Sequence, residues 1–162
     1  MAHQAPRGNV VIVVSFVLAI LLSMIPLPDW ANVARPFWVA LILIYWCMAM
    51  PQRVGIATGW FVGLMLDVTV GGLMGLYAFA FAVVAFLTIK LYQRIRVYPL
   101  AQQSLAIMVL IAMIQLLSLW IHGITGTPPY SWTYWLPTLT STLVWPWLFM
   151  FMRGVRRYYR VQ

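Results

Sequence analysis

Six apolar runs follow one another along the chain, with no polar segment between them long enough to form a separate domain. They cover residues 10–27, 37–50, 54–70, 73–89, 101–122 and 138–152. Runs of this length buried in hydrocarbon must satisfy their own backbone, which helices do. The expected fold is therefore all-α: one integral membrane domain over residues 1–162, a polytopic bundle of about six transmembrane helices. Composition agrees, since 64% of residues are hydrophobic and 7% charged, against roughly 25% charged in soluble domains. Too few polar side chains exist to cover a surface in water.

The first run follows a short polar start carrying Arg7 and ends in PLPDW without a small-x-small cleavage site, so it reads as an uncleaved helix. Pro26 and Pro28 end it, and Pro51 closes the second run. That second run, Phe37–Met50, reaches only about 21 Å, short of a hydrocarbon core of about 30 Å. Either Arg35 snorkels while the helix starts near Asn32, or the bilayer thins locally. KLYQRIRVYP reads as a polar connector, and RGVRRYYRVQ as a basic tail.

The formal charge of +8 is distributed by topology. Six crossings put both termini on one side, and Arg7, Arg53, Lys90, Arg94, Arg96, Arg153, Arg156, Arg157 and Arg160 then fall together, leaving only Arg35 opposite, beside Asp29. By the positive-inside rule both termini are expected to be cytoplasmic. Five crossings, with a re-entrant piece near Gly71-Gly72, is the alternative count. Lys90, Arg94, Arg96, Arg153, Arg156, Arg157 and Arg160 read as topology determinants or contacts to anionic lipid headgroups. This placement at run ends excludes a nucleic-acid face, which needs a basic patch on a water-exposed fold. The single Cys47, inside an apolar run, reads as a small buried hydrophobe.

Within VGIATGWFVGLMLDVTVGGLMG, glycines stand at 55, 59, 63, 71 and 75, and Asp67 fills the one gap in that four-residue rhythm. Residues four apart on a helix form a single ridge, and small residues on it admit a neighbouring helix closely. Gly55, Gly59 and Gly63 accordingly offer a groove to a partner helix, or pack within the subunit. Asp67 also admits two readings. It is a partner or ligand site inside the bundle, or a carboxyl near a helix end that accepts from free backbone groups around Gly71-Gly72. Arg35-Pro36 reads as an interfacial anchor and helix start, or as a partner contact. Trp132, Tyr134 and Trp135, in the uncharged loop Gly123–Pro137, read as an aromatic belt or as a docking surface for an extracytoplasmic partner.

Catalysis is disfavoured by what the chain contains. Two histidines, one cysteine and two aspartates are scattered without metal-ligand spacing; His3 lies in the polar start, His122 at the end of an apolar run, and no GxSxG elbow is present. No metal and no cofactor is expected, and the protein is not read as an enzyme.

Several features taken in order then carry a resemblance. Arg35-Pro36-Phe37-Trp38 leads into LILIYW at 41–46, then Pro51-Gln52-Arg53-Val54-Gly55, then Gly59, Gly63, Leu66-Asp67, Gly72 and Gly75, and finally Trp145-Pro146-Trp147. The set resembles the MreD family of rod shape-determining membrane proteins, in a proteobacterial form, and runs essentially end to end. The resemblance implies a noncatalytic scaffold of the cell-elongation machinery in the bacterial inner membrane. It implies binding to an MreC-like single-pass protein and, through it, connection to MreB filaments, the RodA glycosyltransferase and its penicillin-binding transpeptidase. It further implies a fold similar to the substrate-binding subunits of energy-coupling-factor transporters. A small-molecule-binding subunit of a membrane transporter, with a ligand pocket around Asp67, is the competing reading.

Overall fold

The computed structural model describes residues 5–126 and 131–160. The first four residues of the expected polar start 1–9, the middle of the aromatic loop (127–130) and the last two residues of the tail lie outside the described residues. Among the described residues seven α-helices follow in order: α1 (Ala5–Met24), α2 (Asp29–Asn32), α3 (Trp38–Ala49), α4 (Ile56–Val70), α5 (Leu76–Val97), α6 (Leu100–Ile124) and α7 (Leu136–Tyr158), with a 3-10 turn at Trp132–Trp135 before α7. No strand occurs among the described residues.

Several boundaries differ from those expected of the apolar runs, α5 starting at Leu76 rather than at 73 among them. α1 begins at Ala5 and stops at Met24, before Pro26, and the single-turn α2 occupies part of the loop that follows. α5 continues past Ile89 through the presumed connector to Val97, and α7 continues through much of the presumed tail to Tyr158. The reason is common to both extensions. Lys, Arg, Gln and Leu are good helix formers, so polarity ends the apolar surface without ending the helix. What ends α5 is Pro99, which holds Tyr98 in an extended conformation at φ −66°, ψ 144°.

The bundle is organised around α3. Every residue from Val39 to Met48 is buried, an all-round apolar helix of the kind found inside a protein. α3 packs on α1, α5, α6 and α7, and it starts at Trp38 rather than near Asn32, which belongs to the separate turn α2. The Trp46 indole on α3 donates to Ser15 Oγ on α1 at 2.8 Å, and the Phe37 amide donates to Ser141 Oγ on α7 at 2.9 Å. The exterior carries large apolar side chains, among them Leu18, Trp60, Phe61, Phe79, Leu105, Trp120 and Trp147, a surface suited to hydrocarbon rather than water. Two helices, α5 and α6, are long and apolar enough to cross a membrane; α3, α4 and most of α1 form shorter apolar helices.

Candidate functional site

The most extensive helix contact is between α4 and α5, and the glycine ridge explains it. A Cβ built on Gly63 would overlap the Tyr77 carbonyl oxygen and lie 2.6 Å from Ala78 Cα. One built on Gly59 would lie 2.9 Å from the Phe81 carbonyl oxygen and 3.0 Å from Ala85 Cβ. These are approaches of helix to backbone that only glycine permits, the small-residue packing of membrane bundles. The expectation of a partner groove is thereby corrected for Gly59 and Gly63: α5 of the same chain fills their face. Gly55 is different, since its nearest such neighbour, Ile89 Cδ1, lies at 4.0 Å.

Asp67 stands on this interface, 2% exposed. The Gly75 amide donates to Oδ2 at 2.9 Å, the Tyr77 amide to Oδ1 at 3.0 Å and the Ala78 amide to Oδ2 at 3.2 Å. These are amides of the first turn of α5, which have no partner within their own helix. A carboxyl from the preceding helix thus does what an N-cap side chain does in sequence, where α5 itself has only Gly75. Of the two readings of Asp67, the structure displays the carboxyl that accepts from free backbone amides, with the donors lying just beyond Gly71-Gly72. Gly71 at φ 70° and Gly75 at φ 97° supply the left-handed conformations the intervening turn needs.

Arg35 is also turned inward. Its two terminal nitrogens donate to the Ser23 and Ile25 carbonyl oxygens, at the end of α1. A guanidinium there satisfies orphan carbonyls and complements the negative end of the helix dipole. The side chain thereby fastens the loop before α3 to α1.

Two polar clusters have no counterpart in the expectations. Gln115 on α6 donates from Nε2 to the Tyr134 carbonyl oxygen at 2.6 Å, accepts at Oε1 from the Thr138 hydroxyl, and its own carbonyl accepts from the Tyr134 hydroxyl at 2.9 Å. Gln103, lower on α6, accepts at Oε1 from the Trp145 indole at 3.1 Å and donates to the Ile95 carbonyl oxygen at 3.3 Å. Together they hold α5, α6, the 3-10 turn and α7. The tryptophans flanking Pro146 divide sharply: Trp145 is fully buried and Trp147 is exposed. Polar residues inside apolar runs were the one available signal for these contacts, and it names no partners.

The remaining site residues lie on the surface. Trp132 is 92% exposed, while Trp135 packs edge-on against Tyr134 at 5.7 Å. Lys90 lies over the Phe86 ring at 5.8 Å. Arg94 and Arg96 occupy the last turn of α5, and Arg156 and Arg157 that of α7, where cations suit the helix dipole. Arg53 reaches Asn9 near the start of α1 at 3.4 Å, and Arg53, Arg96, Arg153 and Arg156 share one end of the bundle. Between α1 and α7 runs an open apolar groove of about 660 Å³, walled by Val14, Leu18 and Leu22 on one side and Leu148, Phe151 and Val155 on the other.

Over residues 6–155 the chain matches the family model described as rod shape-determining protein MreD. It is 32% identical over 142 residues to the rod shape-determining protein MreD of Haemophilus influenzae, covering 88% of each chain. No solved structure matches it.

Proposed function

This chain belongs to the MreD family of rod shape-determining proteins, and we propose from that premise that it is a noncatalytic, multi-pass scaffold of the cell-elongation machinery. In this reading it spans the bacterial inner membrane six times, through α1, α3, α4, α5, α6 and α7, with both termini cytoplasmic. It binds an MreC-like single-pass protein, and through it meets MreB filaments, the RodA glycosyltransferase and its penicillin-binding transpeptidase in peptidoglycan synthesis.

The observation that carries the reading is the commitment of Asp67. The carboxyl in the apolar interior with most scope for chemistry is spent on three amides of α5. With the face of Gly59 and Gly63 closed by α5, the proposal assigns the partner's transmembrane helix to the apolar groove between α1 and α7. Such a groove receives a helix through van der Waals packing along its length.

Gentle detergent purification from the native host, followed by mass spectrometry of proteins and small molecules, tests the proposal. Stoichiometric recovery of a single-pass protein with a periplasmic domain is expected. Recovery of a tightly held small molecule with no protein partner would overturn it in favour of a transport subunit.

A further inference from the structure

At the end of the bundle where α3, α5 and α7 terminate, Arg96, Arg153 and Arg156 line one hollow of about 250 Å³, walled by Tyr45 and Phe149. A second hollow of about 400 Å³ shares Arg96 and Arg156 and adds Arg53. Among the described residues, the guanidiniums of Arg96, Arg153 and Arg156 make no side-chain hydrogen bond and no ion pair.

Nothing in the chain's own acidic residues can supply the missing counter-charge. They number two, Asp29 and Asp67. Asp67 is held at the first turn of α5, whereas Arg96 is in its last turn, a helix length of about 30 Å away. Asp29 follows the far end of α1. Three like charges lining one partly open hollow repel one another unless a counter-charge sits among them. Helix dipoles account for cations near these termini, but not for three of them bordering one hollow with an aromatic wall.

We propose that this cleft binds the phosphate of an anionic phospholipid from the leaflet at the basic end of the bundle. Guanidinium groups match phosphate oxygens in bidentate geometry, and basic pockets between membrane helices are suited to lipid headgroups. Tyr45 and Phe149 give the hollow an apolar wall for the glycerol region, and the apolar exterior of the bundle receives the acyl chains. A free phosphate would use the guanidiniums but leave that wall without a partner. The proposal rests on the chain being embedded in a bilayer, and is independent of which protein it binds.

The test is native mass spectrometry of the full-length protein released from nanodiscs containing equal amounts of phosphatidylglycerol and phosphatidylcholine. Both faces of a nanodisc are accessible, so an error in the assigned orientation does not affect the result. The wild-type protein is expected to retain phosphatidylglycerol over phosphatidylcholine by about tenfold. The pair R96Q/R156Q should lose that preference, while R94Q/R157Q, which removes the same charge outside the hollows, should keep it to within about twofold. If the cleft pair does not fold, R153Q alone should lower the preference by about threefold. Absence of preference in the wild type, or equal loss in both pairs, overturns the proposal. Displacement of the lipid by millimolar inorganic phosphate would also overturn it, making soluble phosphate the occupant.

Discussion

Asp67 and Gly75 are joined across the α4–α5 turn: the Gly75 amide donates to Asp67 Oδ2 at 2.9 Å, while the carbonyl of Asp67 accepts from the Gly71 amide at 3.0 Å. One residue thus closes the helix it belongs to and opens the next. Asp67→Ala should cost about 3 kcal/mol, because one buried and two part-buried amides lose their acceptor together. Asp67→Asn, which keeps one acceptor oxygen, should cost roughly half as much. Thermal unfolding of the purified protein in a single detergent measures both, and equal midpoints for wild type and Asp67→Ala would refute the capping role.

The glycines of α4 should respond in the order of their clearances. Gly63→Ala forces backbone apart and is expected to cost about 3 kcal/mol, Gly59→Ala about 1–2 kcal/mol, and Gly55→Ala less than about 0.5 kcal/mol. The same unfolding assay ranks them. A ranking with Gly55 as the most sensitive position would contradict the α4–α5 contact.

The Trp145 indole and the Gln103 side chain form a buried pair whose coupling is measurable. Trp145→Phe and Gln103→Leu should each destabilise by about 1–2 kcal/mol, and the double variant by about 1 kcal/mol less than their sum. Strict additivity in the double-mutant cycle would mean that the two do not interact.

The α1–α7 groove gives a prediction about assembly rather than stability. Val14→Trp and Leu18→Trp alter exposed positions, so unfolding should shift by less than about 0.5 kcal/mol, yet each fills space assigned to a partner helix. Co-purification of the single-pass partner should fall by about tenfold or more. Unchanged recovery would move the interface elsewhere, with the exposed Trp132 next to be tested.

The apolar runs were legible in the sequence because burial in lipid demands them, and so was the close packing of the glycine ridge. What spacing leaves open is the neighbour. A row of glycines defines a face without saying whether another chain or the next helix occupies it, and here α5 does. Asp67 was readable as a carboxyl near a turn, although its donors lie beyond Gly71-Gly72 at Gly75, Tyr77 and Ala78. Gln103 and Trp145 are separated by 42 positions, and no local pattern relates them. The extensions of α5 and α7 were hidden for another reason: charged helix formers mark where hydrocarbon ends, and only a proline or an exhausted hydrogen-bond ladder marks where a helix ends.

The capping of α5 by Asp67 also bears on how the protein is made. During synthesis α4 emerges before the amides that satisfy its carboxyl, the last of which is 11 residues downstream at Ala78. Held alone in hydrocarbon, that carboxyl would be costly. The two helices are therefore best delivered to the bilayer as a preformed hairpin, in which the glycine face is already closed and the acid already met.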